Sequence, residues 1–243
     1  RDVSLADAGV DMQQAKEIGL TDEDTVLLMG DVFADDVEVG NTSTFSLNFN
    51  FDIDEIESQN VTLDFAGEHN ISNALAAAAC AQALGLSIDD IAKGLDAAKP
   101  AKGRLNFIEF GRHTLIDDTY NANPSAVIAA TQVLVSQGAP TLLVLGDIGE
   151  LGDAAQEEHR KLGEAIAASG VTVLYTVGEL TPVTVAQAQA SGMQAQAYPD
   201  KATLLAAIKD KLTSSDDAWH ILFKGSRYMR MEQIIDELTR QPF

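Results

Sequence analysis

The sequence is poor in cysteine and in positive charge, and each shortage excludes classes of protein. Its 243 residues include one cysteine, so they form neither an internal disulfide nor a multi-cysteine metal site. Only 16 lysines and arginines stand against 37 acidic residues, which gives a net charge of −21. A chain this negative is not expected to bind nucleic acid or anionic membrane surfaces.

Long apolar runs are also lacking. A membrane span needs about 18–20 apolar residues, whereas the longest small-apolar run here, 74–83, is rich in alanine and interrupted by Cys80 and Gln82. This run predicts a buried helix in which Cys80 is a small core residue. No signal peptide is recognisable after Arg1. Together these features predict a globular cytoplasmic protein.

The last 140 or so residues alternate between short apolar strands and helical patterns. A repeated strand–helix order with nearly continuous apolar strands predicts an α/β fold with a parallel, doubly wound sheet. The predicted strands cover residues 107–110, 114–117, 141–146, 173–177, 196–198 and 218–223. The predicted helices cover residues 125–137, 154–168, 182–191, 201–212 and 229–240.

The first 100 residues carry a different pattern. A short helix is predicted over 12–18 and a short strand over 25–29. Residues 44–51 and 61–65 alternate between polar and apolar side chains, which predicts an antiparallel hairpin closed by an acidic loop over 52–59.

Two helices complete this first part. One runs from Asn70 to a terminating Gly85, and the next runs from a capping Ser87 to Leu95. The segment 99–103 reads as a linker, so the predicted domains are 1–102 and 103–243.

Two adjacent carboxylates, Asp117 and Asp118, end one predicted strand. Because a buried carboxylate is costly without a donor or cation, they predict a partner, either sugar hydroxyls or a metal. The alternative is a helix cap, in which Asn123 or Asp118 caps the helix that starts near Pro124.

A glycine-rich loop follows the next strand. Residues 146–152 contain three glycines, which allow close backbone approach to a ligand, together with Asp147 and Glu150 as acceptors. The loop lacks the Gly-x-Gly-x-x-Gly spacing of a dinucleotide site, so it is a weak signal on its own.

A basic segment follows the last predicted strand. Lys224, Ser226 and Arg227 place two cations and a hydroxyl before a predicted helix, a combination that favours an anionic ligand. The alternative is an ordinary solvated turn.

Asn70 and Asn73 are three residues apart and share a helix face, where their amides suit the edge of a purine. Alternatively, Asn70 is an N-cap and Asn73 a packing residue. His69 alone is more typical of a structural residue than of a catalytic one, and His113, His159 and His220 lie too far apart in the sequence for metal-ligand spacing. No Gly-Lys dipeptide occurs, so the triphosphate-binding P-loop motif is absent from these residues.

These segments, taken in order over residues 61 to about 240, resemble the Mur ligases. The resemblance implies a UDP-binding domain, a central ATPase domain with the P-loop and a C-terminal Rossmann-like domain. Residues 1–102 would then be the end of the central domain, and 103–243 the C-terminal, mostly parallel, Rossmann-like domain. The P-loop would lie outside the chain, and the chain alone is expected to be inactive.

The motifs that carry the resemblance are Gly-x-His-Asn-x-x-Asn from Gly67, Gly103-Arg104, Asp-Asp-x-Tyr-Asn-Ala-Asn-Pro from Asp117, Gly-Asp-x-x-Glu-Leu-Gly from Gly146 followed by His159, and Lys-Gly-Ser-Arg from Lys224.

The resemblance also implies a reaction. With ATP and Mg²⁺, the terminal carboxylate of UDP-N-acetylmuramoyl-tripeptide becomes an acyl phosphate, and the amine of D-Ala-D-Ala attacks it in peptidoglycan precursor synthesis. The C-terminal domain would close over the site, and the protein would be a cytoplasmic monomer.

Residue roles follow from the same resemblance. Asn70 and Asn73 would lie near adenine, Arg104 near the phosphates or ribose, and Asp118 on the ribose hydroxyls. Asp117 would orient its loop, and His69 keeps no assigned role. No metal ligand is expected here, because the family's Mg²⁺ ligands would belong to the absent half. The residues expected to flank the closed site or to line the dipeptide side are Tyr120, Asn121, Asn123, Asp147, Glu150, Lys224, Ser226 and Arg227.

Two alternatives remain open. The substrate could be a single amino acid, as in other ligases of the same superfamily. The chain could also be a non-catalytic nucleotide-binding or scaffold domain that never had a P-loop.

Overall fold

The chain forms two compact units, Arg1–Lys99 and Pro100–Phe243. The computed structural model describes residues 3–4, 32–52, 55–138 and 140–240. The helix expected over 12–18 and the strand expected over 25–29 lie outside these residues.

The first unit contains an antiparallel sheet in the order β1-β2-β3-β4. Alternate residues of β3, namely Phe45, Leu47 and Phe49, are buried, and they join the core of this unit. The polar-apolar alternation read from the sequence therefore places one face of the strand inward, as expected for a half-buried strand. The strands are β1 (Val3–Ser4), β2 (Val32–Val39), β3 (Ser43–Asp52) and β4 (Glu55–Leu63).

The prediction of an acidic loop over 52–59 is wrong for most of these residues. The strand β4 begins at Glu55, and residues 55–59 pair with β3. The side chains of 56–60 are exposed, so their polarity is compatible with a strand at the edge of this sheet.

Two helices, α1 (Glu68–Ala83) and α2 (Ile88–Ala97), pack with this sheet. Gly85 follows α1 at φ +83°, and Ser87 caps α2 by accepting the Asp90 N–H, as the sequence predicts.

The burial predicted for Cys80 is wrong. Helix α1 buries the face that holds Ile71, Leu75 and Ala79, whereas Cys80 lies on the exposed face. Alanines occur on both faces of this helix, so the sequence contrast that would have revealed the exposed face is missing.

The second unit is an α/β fold built on a six-stranded sheet in the order β5-β6-β10-β7-β8-β9. Every neighbouring pair is parallel except β5 and β6, which form an antiparallel hairpin. The strands are β5 (Asn106–Phe110), β6 (His113–Asp118), β7 (Thr141–Gly146), β8 (Val173–Val177), β9 (Gln194–Tyr198) and β10 (His220–Lys224). The helices are α3 (Pro124–Ser136), α4 (Ala155–Ala168), α5 (Thr181–Ala190), α6 (Lys201–Thr213) and α7 (Glu232–Arg240).

The central strands of this sheet are covered on both faces. Every residue of β7 and β8 is buried, which explains their nearly continuous apolar sequence. Helix α3 packs against α4 and α4 against α5, while α6 packs against α7.

The last helix begins later than the sequence predicts. A short 3₁₀ turn occupies Arg227–Met229, and Arg230 then adopts a left-handed conformation at φ 48°, so α7 starts at Glu232 and not at Met229. The basic segment therefore does not lead directly into a helix N-terminus. Within the described part of the chain, none of the helices combines the length and apolarity that a membrane crossing requires.

Candidate functional site

Three loops meet at one edge of the second unit's sheet. Strands β6, β10 and β7 are parallel neighbours in that order, so the segments that follow their carboxyl ends lie side by side. We call them the β6 loop (119–123), the β10 loop (225–231) and the β7 loop (147–151). The residues predicted for the dipeptide side all lie in these loops or at the end of β10.

Asp118 and Lys224 form a buried ion pair at the base of this edge. They are register partners on β6 and β10, and the Lys224 Nζ lies 2.5 Å from the Asp118 Oδ2. Their side chains are 8% and 2% exposed. The Lys224 Nζ also donates to the Asn121 carbonyl at 3.0 Å, and the Asp118 Oδ1 accepts the Leu105 N–H at 3.2 Å. The structure thus gives Asp118 a lysine of the same chain as the partner that its burial requires.

Asp117 has its own local partners. Its Oδ1 accepts the Thr119 hydroxyl at 2.6 Å and the Thr119 N–H at 3.2 Å, and both residues are buried. Asp117 therefore shapes the turn that leaves β6.

Asn123, and not Asp118, caps helix α3. Its Oδ1 accepts the Ala126 N–H at 2.8 Å. Asn121 is also engaged with backbone, because its Oδ1 accepts the Ala122 N–H at 2.9 Å and the Arg227 N–H at 3.3 Å. The second contact joins the β6 loop to the β10 loop.

Ser226 links all three loops. Its hydroxyl accepts the Gly149 N–H at 2.8 Å and donates to the Ala122 carbonyl at 3.4 Å. Its backbone N–H donates to the Asp147 carbonyl at 3.0 Å. Ser226 is buried, so these contacts occupy it inside the edge.

Asp147 caps the start of α5. Its two carboxylate oxygens accept the N–H groups of Glu179, Leu180 and Thr181 at 2.7, 3.0 and 2.9 Å. A Cβ added to Gly178 would lie 2.2 Å from the Asp147 Oδ1, so glycine is required for this approach. Sequence reasoning read Asp147 as a ligand and missed this cap, which joins residues more than 30 positions apart.

His159 supports the β7 loop from below. It is completely buried, its Nε2 accepts the Ile148 N–H at 3.4 Å, and its Nδ1 lies 2.9 Å from the Thr184 Oγ1. Since Nε2 accepts, Nδ1 carries the proton and donates to Thr184. Burial lowers the pKa of His159, which favours the neutral form that this arrangement needs. Sequence reasoning listed His159 within a motif but did not find this role.

The exposed groups at the same edge are aromatic or charged. The Arg104 guanidinium lies 4.4 Å from the centre of the Tyr120 ring, a cation–π contact. The Arg227 side chain is 58% exposed and pairs with Glu232 at 2.9 Å. Glu150 is exposed and holds φ at 63°, an uncommon conformation for a residue other than glycine. Of the residues predicted here, these are the ones that present charge to solvent.

Asn70 and Asn73 lie in the first unit, on α1. The Asn73 Nδ2 donates to the Asn70 Oδ1 at 3.2 Å, and the Asn70 Nδ2 donates to the Ala66 carbonyl at 2.8 Å. Asn70 is not an N-cap, because α1 begins at Glu68. His69 is exposed beside them.

Within residues 3–4, 32–52, 55–138 and 140–240, no three His, Cys, Asp or Glu side chains form a group that could hold a metal ion. These residues therefore do not fit a magnesium site on their own.

The family described as "Mur ligase, glutamate ligase domain" matches residues 103–227, which include the six-stranded sheet and, at its carboxyl edge, the β6 loop, the β7 loop and the start of the β10 loop. The chain belongs to the Mur ligase family.

Two curated relatives have the same name. The chain is 38% identical over 182 residues to the UDP-N-acetylmuramoyl-tripeptide–D-alanyl-D-alanine ligase of Escherichia coli K12, a match that covers 74% of the chain and 39% of the relative. It is 35% identical to the enzyme of the same name from Bacillus subtilis, over 72% of the chain and 39% of the relative. The chain thus spans about two fifths of these relatives.

Solved structures of Mur ligases are also similar to the chain. The chain is 41% identical to a MurF from Acinetobacter baumannii, with a TM-score of 0.78 between the two structures. The match covers 87% of the chain and 46% of that protein. MurF ligase from Thermotoga maritima, described in complex with ADP, shares the fold at a TM-score of 0.66 and 22% identity.

Proposed function

We propose that the chain is part of an ATP-dependent ligase that adds D-Ala-D-Ala to UDP-N-acetylmuramoyl-tripeptide in the cytoplasm, during peptidoglycan precursor synthesis. The observation that carries this proposal is the 38% identity over 182 residues to a curated ligase of that specificity. The matched length spans residues from both units, because 182 residues exceed the 144 of the second unit, 100–243.

The proposed reaction has two steps. A carboxylate oxygen of the tripeptide attacks the γ-phosphorus of ATP, which forms an acyl phosphate and releases ADP. The amine of D-Ala-D-Ala then attacks the acyl carbon, and the tetrahedral intermediate expels phosphate as the amide forms. Both steps develop negative charge on oxygen, which preorganised donors and cations stabilise.

Four residues are proposed to bind the nucleotide. Asn70 and Asn73 would meet the adenine edge, since their amides both donate and accept. In the second unit, Arg104 would approach the phosphates, and Asp118 would accept the ribose hydroxyls. The exposed position of Arg104 and its contact with Tyr120 support this assignment, because the guanidinium is held outside the protein core.

On the dipeptide side, exposed residues would bind the substrate and other residues would hold the loops in place. Arg227 would bind the dipeptide carboxylate, and Glu150 would face its ammonium group, because both charges are exposed. The other residues predicted for this side hold the loops: Asn121, Asn123, Asp147 and Ser226 all bond to backbone groups.

A substrate panel tests the proposal. The full-length protein, supplied with UDP-N-acetylmuramoyl-tripeptide and ATP, is expected to release phosphate with D-Ala-D-Ala and not with D-Ala, D-Glu or L-Lys alone. Preference for a single amino acid would contradict the proposal and favour the amino-acid ligase alternative. The isolated 243-residue chain is expected to show no ATP turnover, and appreciable turnover would contradict its assignment as a part without the P-loop.

A further inference from the structure

We propose that Lys224 is a positioning residue for the nucleotide, acting through Asp118, and that it does not contact the dipeptide. This inference rests on the proposed function and deepens it, because it reassigns a cation that the sequence places on the dipeptide side. The carrying observation is the pairing of Lys224 with Asp118 on adjacent strands, with a lysine side chain that is only 2% exposed.

Two of the three N–H donors of the Lys224 ammonium group are already committed, since they face the Asp118 carboxylate and the Asn121 carbonyl. Because the side chain is only 2% exposed, a dipeptide carboxylate would have to enter the protein to reach the third donor or to displace one of these acceptors. Displacing Asp118 would leave a buried carboxylate without its cation, which is strongly unfavourable.

Asp118 keeps capacity for a nucleotide while it is held by Lys224. An ionised carboxylate offers about four lone-pair sites. Lys224 occupies one through Oδ2 and the Leu105 N–H occupies another through Oδ1, so two sites remain for the two ribose hydroxyls. The Asp118 side chain is also the more exposed of the pair, at 8% against 2% for Lys224. Lys224 thus fixes both the rotamer and the charge of the group that would meet the ribose.

The same contacts reach the phosphate side. Leu105 holds φ at 50°, an uncommon conformation for a branched side chain, and its N–H is bonded to Asp118. Arg104 immediately precedes it. Loss of Lys224 is therefore expected to disturb the Arg104 backbone as well as Asp118.

Arg227 supplies the contrast. Its side chain is 58% exposed, and it pairs with Glu232, the first residue of α7, whose own side chain is 19% exposed. A guanidinium has five N–H donors, so Arg227 can meet a substrate carboxylate on its exposed side while it keeps Glu232. Of the two cations in the segment 224–227, Arg227 is therefore the one available to the dipeptide, and Lys224 serves Asp118.

The test is a double-mutant cycle on ADP binding by the full-length ligase. Lys224→Met, Asp118→Asn and the double variant are titrated with ADP by calorimetry, and Lys161→Met is the matched control on an exposed ion pair. Each single variant is expected to weaken ADP binding about tenfold. The double variant is expected to bind ADP no more weakly than the single variant with the lower affinity, because the effects of residues that act through one another are not additive. The control is expected to bind as the wild type does.

Two results would overturn the inference. One is Lys224→Met binding ADP as tightly as the wild type, and the other is losses that multiply in the double variant. The KM for D-Ala-D-Ala at saturating ATP adds a second readout. It is expected to stay within about threefold of the wild type in Lys224→Met, whereas a rise of tenfold or more would make Lys224 a dipeptide ligand.

Folding of the variants is followed by thermal unfolding. Lys224→Met leaves a buried carboxylate, so it is the variant at risk. The double variant removes both charges and keeps the comparison available: its KM for D-Ala-D-Ala should equal that of Asp118→Asn, and a higher value would overturn the inference. A wild-type protein that binds ADP but does not ligate D-Ala-D-Ala would refute the proposed function while the ADP cycle still decides the role of Lys224. A wild-type protein that does not bind ADP would refute both.

Discussion

The hydroxyl of Ser226 accepts the backbone N–H of Gly149 at 2.8 Å, across 77 residues of sequence. This contact fastens the β10 loop to the β7 loop, and the bond from Ser226 to the Ala122 carbonyl adds the β6 loop. The three loops are therefore one assembly, and residues in it affect the site through its shape as well as through direct contact.

Ser226→Ala is expected to lower the free energy of unfolding by about 1–2 kcal/mol, because it leaves the Gly149 N–H without its acceptor. Urea denaturation measures this change. Ser214→Ala, at an exposed helix end, is the control and should stay within about 0.5 kcal/mol of the wild type. Equal effects of the two substitutions would mean that the Ser226 contact contributes nothing.

Asp147→Asn is expected to destabilise the second unit by about 2–4 kcal/mol, since the amide nitrogen would face backbone N–H groups that now meet a carboxylate. Circular dichroism during thermal unfolding reports the loss. Asp200→Asn is a matched control, because Asp200 caps α6 by accepting the Thr203 N–H, and asparagine is as good a cap as aspartate. An Asp147→Asn variant as stable as the control would show that the cap does not need the charge.

Two helix glycines should respond in opposite directions to alanine. A Cβ on Gly163 of α4 would lie 2.3 Å from the Thr184 carbonyl oxygen, so Gly163→Ala should destabilise by about 1–3 kcal/mol through overpacking. Gly94 of α2 has nothing within 4 Å of such a Cβ, so Gly94→Ala should stabilise by about 0.5–1 kcal/mol. Melting temperatures of both variants check this pair. A stabilised Gly163→Ala would show that α4 and α5 can separate at no cost.

The pH dependence of stability follows from three histidines of the second unit. Burial lowers the pKa of His113, His159 and His220 below their usual value of 6.5, and Arg112 adds to the effect at His113. The unfolded chain then binds more protons than the folded chain as the pH falls through 6.5. The free energy of unfolding is therefore expected to be highest at about pH 7 and above, and to decrease as the pH falls from about 7 to about 5. Urea midpoints across this range measure it.

His159→Gln is the companion variant for the pH series. Glutamine has no proton to gain, so the decrease should be shallower than in the wild type. If the stability of the wild-type protein rose on acidification over this range, that would contradict the lowered pKa of the three histidines.

The parts of the fold that could be read from the sequence are those fixed by local pattern. Strands β7 and β8 begin and end where their apolar runs predict, because both faces are buried and the composition leaves no other choice. The edge strand β4 was partly missed, since its exposed residues lack that signal. Cys80 was misplaced for a related reason, as alanine occupies both faces of α1.

The candidate site was predictable as a location more than as a set of contacts. The motifs put Asp118 and Lys224 at strand ends, and parallel strands bring such ends together. Their pairing depends on β10 lying between β6 and β7, an order that no local pattern specifies. For the same reason, the sequence predicts Asp147 and Ser226 only as residues of the dipeptide side, and the loop contacts that both make are seen in the structure alone.

The central claim, ligation of D-Ala-D-Ala through an acyl phosphate, is tested most directly by isotope transfer. The full-length protein is given ATP, D-Ala-D-Ala and UDP-N-acetylmuramoyl-tripeptide labelled with ¹⁸O in its terminal carboxylate, and the released phosphate is analysed by mass spectrometry. The account predicts one ¹⁸O atom in each phosphate, because the attacking carboxylate oxygen leaves with phosphorus when the amide forms. Amide formation with unlabelled phosphate, or no amide with D-Ala-D-Ala, would contradict it.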